Sequence, residues 1–180
     1  MFEKSNLSPL GIRLLTFLAR NPAREVHLRQ LAEEVGASPS GCYTALGGLS
    51  EDNLVVSRRS GRNVYWRANT ANPGLASFKV FTCIRELEGA LREVRALSSK
   101  VVLFGSCATG DDTDASDVDL LVVTEDVARV REALRGARAG GRRVNPIVLS
   151  PSGLLELREA NRSLYDEMRK GIVLWSGSHE

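Results

Sequence analysis

The chain has 180 residues, 43% hydrophobic and 26% charged, with a formal net charge of +2. That composition belongs to a globular protein of one medium or two small domains and excludes low-complexity, collagen-like and disordered classes. No apolar run nears the roughly 20 residues needed to cross a bilayer, and the opening MFEKSNLSPL lacks the apolar core of a secretory leader, so a cytoplasmic location without membrane contact is expected.

Ser8 opens the first helical pattern, in which Leu10, Leu14, Leu15, Leu18 and Ala19 share one face until Asn21-Pro22 ends it. Val26, Leu28, Leu31, Ala32 and Val35 line a short second helix that Gly36 terminates. Ser38 then caps a third helix with Pro39 at its first position, and Cys42, Ala45, Leu46 and Leu49 form its buried stripe. Asn53, a residue that tolerates the left-handed conformation, closes this helix. Two short helices around a glycine-containing turn fit a helix-turn-helix, although a plain helical hairpin would satisfy the same residues. Residues 54–59 and 62–67 alternate as two strands around Ser60-Gly61. This hairpin carries Arg58, Arg59, Arg62 and Arg67 and no acidic residue.

Together these elements resemble a winged helix-turn-helix of the bacterial and archaeal transcription-regulator type. The resemblance implies double-stranded DNA as a partner, with Arg58, Arg59 and Arg62 on phosphates and Ser38, Ser40, Tyr43 and Thr44 toward base edges. The segment 38–53 holds no Lys or Arg, so modest sequence discrimination is expected. Residues 1–98 hold 13 basic against 9 acidic side chains and residues 99–180 hold 11 against 13, so the basic surplus falls in the first half.

Asn72-Pro73 starts a long helix with Leu75, Phe78, Phe81, Ile84, Leu87, Leu91, Val94 and Leu97 along one side. Part of that stripe reads as the seam of a homodimer; packing against the chain's own domains is the alternative.

Residues 101–123, VVLFGSCATGDDTDASDVDLLVV, read as a strand, a Gly105-Ser106 turn, an acidic loop, and a second strand opening with Asp117-Val118-Asp119. Residues two apart on a strand face the same way. Asp117 and Asp119 therefore share a small volume, where they repel unless a cation lies between them. Mg²⁺ (or Mn²⁺) suits such a pair, because it is usually held by one or two carboxylates plus substrate phosphates. Gly105 lets the backbone approach a ligand closely. A helix around 127–137, a strand over 142–149, a helix from 151 and a last strand over 172–175 complete a small mixed sheet, with helices expected on one face. Of the cysteines, Cys42, Cys83 and Cys107 lack metal-ligand spacing and their odd number fits a reducing compartment. Cys107 reads as a packing residue, the loop aspartates Asp111, Asp112 and Asp114 as solvated, and His27 and His179 as surface or capping residues.

Gly105-Ser106, Ala108, Gly110 and Ser116-Asp117-Val118-Asp119-Leu120-Leu121 resemble the signature of the DNA polymerase β-like nucleotidyltransferase superfamily, above all its minimal members. The resemblance implies catalytic, metal-holding Asp117 and Asp119, and nucleotide contacts from Gly105, Ser106, Ser116 and Asn145 to a nucleoside triphosphate, ATP foremost. Two departures stand out. Thr109 occupies the place of the family's arginine, and Asn145 that of the third carboxylate, commonly the general base; an amide cannot take up a proton near neutral pH. A base-independent transferase and a domain that binds nucleotide without turnover both remain open, as does Asn145 as a turn or bulge residue before Pro146.

The expected fold is α+β: an N-terminal winged helix-turn-helix over 1–73, a long linker and dimerisation helix over 74–98, and a small mixed-sheet nucleotidyltransferase-like domain over 99–180. Three functions follow: a DNA-binding regulator that binds Mg-NTP and transfers a nucleotidyl group to a protein, RNA or small molecule; a DNA-binding protein with a dead transferase scaffold; or the antitoxin of a toxin–antitoxin pair, acting on its toxin by AMP transfer.

Overall fold

Most helix starts in this protein are fixed by side-chain caps. In the computed structural model, which describes residues 7–177, Ser8 accepts from Gly11 N at 3.1 Å and opens α1, Pro9–Arg20. Ser38 does the same for α3, Pro39–Glu51, through Gly41 N at 3.2 Å. Asn72 Oδ1 accepts from Gly74 N at 2.8 Å where α4, Gly74–Leu97, begins. Each cap satisfies one of the backbone donors that a helix start leaves without a partner. The chain divides at Lys79/Val80, inside α4, into two compact units.

The first unit is a winged helix. Between α1 and α3 lie β1, Val26–His27, and α2, Leu28–Glu34. The sequence pattern assigned Val26 to the second helix; it belongs instead to a two-residue strand, and His27 caps α2 by accepting from Arg29 N at Nδ1 (3.3 Å). Asn53 has φ 56°, which closes α3 as its residue type suggested. The hairpin β2, Val55–Ser60, and β3, Asn63–Ala68, pairs Ser60 with Asn63, so Gly61 and Arg62 form the turn. Both strands are thus displaced by one residue from the sequence expectation, and Arg62 stands at the tip. The sheet order is β1-β3-β2. Leu14, Leu15, Leu18, Leu31, Leu46 and Leu49 are fully buried beneath it, with Trp66 and Leu75.

The second unit is built on a five-stranded mixed sheet of order β6-β7-β5-β4-β8. Its strands are β4, Lys100–Phe104; β5, Val118–Val123; β6, Arg138–Ala139; β7, Arg142–Leu149; and β8, Ile172–Ser176. β5 runs parallel to β7, while β4 lies antiparallel to both β5 and β8. The helices are α5, Ser106–Thr109; α6, Val127–Ala133; α7, Pro151–Ala160; and α8, Arg162–Arg169.

Helices cover both faces of this sheet, not one as the sequence reading expected. Val101, Leu103, Val118, Leu120, Val122, Val144 and Val148 pack with Leu87, Leu91 and Val94 of α4 and with Val130 of α6. Val102, Phe104, Leu121 and Val123 face Leu154, Leu157, Leu164 and Met168 of α7 and α8. Both sets are apolar because strand residues alternate between faces and each face is covered. Among the described residues no helix is long and apolar enough to cross a membrane.

The α4 stripe is corrected as well. Leu87, Leu91 and Val94 are at most 1% exposed within the second unit's own core, so they make no dimer seam. Phe81, by contrast, is 57% exposed. Leu87→Ala is therefore expected to destabilise the second unit by about 2–5 kcal/mol, the range for emptying a packed core site. Phe81→Ala should stay within about 0.5 kcal/mol. Denaturant unfolding of the two variants measures both.

Candidate functional site

The sheet topology sets three strands side by side at this point. β4 ends at Phe104, whose register partner on β5 is Asp119, and Asp119 pairs in turn with Asn145 on β7. Val118, Leu120 and Val122 point into the α4 and α6 core, so alternation sends Asp119 to the opposite face. There its Oδ1 accepts from Asn145 Nδ2 at 2.8 Å. Its Oδ2 lies 3.0 Å from where a Cβ on Gly105 would stand. Gly105 has φ 67° and ψ −156°, a region essentially restricted to glycine. Asn145 thus lies within the regular ladder of β7 beside Asp119 and is neither bulge nor turn.

The remaining expected residues are distributed around this centre. β5 begins at Val118, so Asp117 precedes the strand and does not open it as expected; it is exposed, and its carbonyl accepts from the Cys107 thiol at 3.5 Å. Ser116 Oγ accepts from Thr113 N at 2.9 Å and braces the acidic loop. Ser106 opens α5 next to Gly105, its carbonyl accepting from Gly110 N and Asp111 N. Thr109, in the place where the arginine was missed, donates to Asp111 Oδ2 at 2.7 Å.

A buried ionic cluster beneath the site was not legible in the sequence. Asp112, expected in solvent, is fully buried and pairs with Arg142 Nη1 at 2.5 Å. Arg142 Nη2 reaches Glu86 Oε2 at 3.2 Å, and Nη1 lies 3.3 Å from Cys107 Sγ. A Cβ on Gly140, which has φ 57°, would collide with the Glu86 carboxylate. Cys107 is 1% exposed and packs in the second unit's core, where the hydrogen bond to Cys83 and burial push its thiol up.

On the first unit, Ser38 Oγ is engaged in its cap, while Thr44 Oγ1 donates to Ser40 O at 3.2 Å. Ser40 is exposed and Tyr43 is 56% exposed. An open groove of about 390 Å³ has in its lining Tyr43, Arg62, the capping residue His27, and two residues that the sequence reading passed over, Arg29 and Asn63. Arg58 is placed differently. It makes a two-pronged contact to Glu25 Oε2, at 2.9 and 2.6 Å, and its guanidinium stacks 5.5 Å from the Tyr65 ring. The hydrogen bond from Arg58 holds the Glu25 carboxyl below the ordinary range, so the pair persists at neutral pH and is lost only as pH falls through that lowered value. The hairpin has no acidic residue of its own, but Glu25, next to β1, supplies one. His27 is the helix cap described above; His179 lies outside the described residues.

A model of the nucleotidyltransferase domain family matches residues 84–173, half of the chain. No curated protein matches it. Among solved structures, NolR from Sinorhizobium fredii is 25% identical over 52% of this chain and 79% of that one, with a TM-score of 0.34. ZitR, a zinc-responsive MarR family member from Lactococcus lactis, is 22% identical over 51% of this chain and 64% of that one, with a TM-score of 0.40. A protein from Sulfolobus solfataricus, provisionally described as a nucleotidyltransferase, is 23% identical over 56% and 86%, with a TM-score of 0.38.

Gly105→Ala tests the site's geometry. The new Cβ would need a backbone conformation costing about 1–3 kcal/mol and would press on the Asp119 carboxylate. The expected result is a lower unfolding midpoint together with a loss of whatever ligand affinity depends on Asp119.

Proposed function

Because the chain belongs to the nucleotidyltransferase domain family, we propose that its second unit binds a nucleoside triphosphate with Mg²⁺, or Mn²⁺, and transfers a nucleotidyl group to an acceptor hydroxyl, the acceptor oxygen bonding to the α-phosphorus as the α–β phosphate bridge breaks and pyrophosphate leaves. The first unit, in this proposal, binds duplex DNA, making the protein a cytoplasmic regulator with a nucleotide-dependent domain. The observation that carries the first part is the Asp119 carboxylate set between the Gly105 backbone and the Asn145 amide.

The donor set fits a magnesium nucleotide. Asp117 and Asp119 offer oxygen ligands, and among the described residues no group of three or more His, Cys, Asp or Glu could cage a metal by itself. Mg²⁺ is suited to such an open site, since substrate phosphates complete its shell. When bound there, the ion supplies charge neutralisation of the phosphates. The protein's own residues do the rest. Gly105 lets the Asp119 carboxylate come close to the backbone that would face the phosphates. Asp119 is oriented by Asn145 Nδ2. Asn145 cannot accept the acceptor's proton, so that proton leaves to water or to a phosphate oxygen. The same Asn145–Asp119 hydrogen bond favours a second reading, nucleotide binding without turnover, with the domain acting as a sensor.

On the first unit, the groove holding Arg29, Arg62, Asn63 and Tyr43 supports DNA contact, and Arg59 is exposed on the same hairpin. Arg58 acts differently, since it is paired with Glu25, whose carboxylate also reaches Arg67.

Calorimetry with Mg²⁺ and each triphosphate is the test of the second unit. Asp119→Asn is expected to abolish metal-dependent nucleotide binding, and wild-type protein that binds no nucleotide under any metal condition would sink the reading. Asn145→Asp should raise turnover by up to about 10²–10⁴ if a general base is the missing element, while sensor-only function predicts no turnover in either form. For the first unit, Arg59→Ala with Arg62→Ala should weaken binding to all duplexes alike and flatten the salt dependence by about one unit per lost phosphate contact. Glu25→Gln should strengthen non-specific binding by releasing Arg58, as measured by salt titrations of a labelled duplex.

A further inference from the structure

Two of the three cysteines come together next to the loop that carries Asp117. Cys83 lies on α4 and Cys107 on α5, and both are at most 1% exposed within the second unit's core. Arg142 shows how near they stand. Its Nη1 lies 3.3 Å from Cys107 Sγ, and its Nη2 reaches Glu86 at 3.2 Å. Glu86 follows Cys83 by three residues, so the two share one face of α4. One guanidinium thus spans the Cys107 sulfur and the helical face that holds Cys83. The two thiols are joined by a hydrogen bond, which together with the Arg142 charge draws the Cys83 thiol down. Cys42 belongs to the core of the first unit.

What the pair can do follows from what each sulfur holds. The Cys107 thiol donates to the Asp117 carbonyl at 3.5 Å, tying α5 to the end of the acidic loop. A disulfide sulfur carries no proton and cannot make that bond. We propose that Cys83 and Cys107 are a redox-modification site: peroxide joins them in a reversible disulfide, which releases the Asp117 carbonyl and weakens the neighbouring site. The loss of nucleotide affinity rests on the Mg-nucleotide reading above; the cross-link does not. In the first step one sulfur, as thiolate, attacks a peroxide oxygen. The O–O bond breaks and hydroxide leaves, taking up the thiol's proton as water. The second sulfur then attacks the sulfenic acid so formed, the S–S bond forms, and the sulfenic hydroxyl leaves with the second thiol's proton as water. Two electrons pass from the sulfurs to peroxide. Access comes through α5, a single turn of four residues between Gly105 and Gly110, both at positive φ. A segment this short opens locally at low cost.

The experiment treats the full chain with hydrogen peroxide, alkylates the remaining thiols in denaturant, and maps the peptides by mass. A Cys83–Cys107 cross-link that dithiothreitol reverses is expected, with Cys42 left alkylated. Cys42→Ala should give the same cross-link and Cys107→Ala none. Peroxide that leaves both thiols alkylated overturns the inference. So do oxyacids without a cross-link, or a link made to Cys42 instead. Calorimetry then compares oxidised and reduced wild type, with Mg²⁺ and a non-hydrolysable ATP analogue as the probe. Oxidised protein is expected to bind about fivefold more weakly, the worth of one ordinary hydrogen bond, and to recover on reduction. Equal affinity of the two forms overturns the effect on the site. If reduced wild type binds no nucleotide under any metal condition, the nucleotide reading fails, while the reversible cross-link still upholds the modification site.

Discussion

The buried pair of Arg142 and Asp112 is the contact on which the second unit's site depends. Both charges are out of solvent, and removing one member of such a pair typically costs about 3–5 kcal/mol because the other is left uncompensated. The pair joins segments 30 residues apart. Asp112 belongs to the acidic loop that delivers Asp117, and Arg142 begins the strand that delivers Asn145. Glu86 adds α4 to the same guanidinium, and Cys107 adds the helix that follows Gly105. One side chain thus fixes the relative positions of four segments that meet at the site. A hydrophobic substitute of equal volume would keep the core filled, but it would give the acidic loop no reason to hold a single position.

β7 shows how the fold separates stability from chemistry within one strand. Its Arg142, Val144 and Val148 look into the core, while Arg143 and Asn145 line the face that carries Asp119. A slip of one residue would exchange the two sets, placing Asn145 among apolar side chains and Val144 beside Asp119. The regular parallel register with β5 from Val118 to Val123 is what prevents this. Function at this edge therefore inherits its precision from a ladder held by burial on both faces.

The winged unit applies electrostatics differently. Its hairpin arginines look equivalent in sequence, yet Arg58 faces Glu25 and Tyr65 whereas Arg62 sits at the turn beside the groove with Tyr43. Arg58 is held to Glu25, next to β1, by an ion pair that Arg67 shares. The division follows from strand alternation: residues 58 and 59 point to opposite faces, and only one of them meets the acid.

Much of this architecture could be read locally. The caps at Ser8, Ser38 and Asn72, the left-handed Asn53 and the positive φ of Gly105 each concern a few neighbouring residues, whose chemistry admits few alternatives. The pairing of Asp119 with Asn145 was anticipated by the resemblance to the nucleotidyltransferase signature, which set Asn145 in the place of the family's third carboxylate. Tertiary structure alone decided what covers each apolar face. Periodicity marks the stripe of α4 as buried, but it does not say that Leu87 and Leu91 meet the chain's own sheet and not a second copy. The same holds for charges: an aspartate in a polar loop and an arginine at a strand start carry no mark of burial until folding brings positions 112 and 142 together and each stabilises the other. Local chemistry fixes turns, caps and faces; partners distant in sequence are chosen only when the whole core closes.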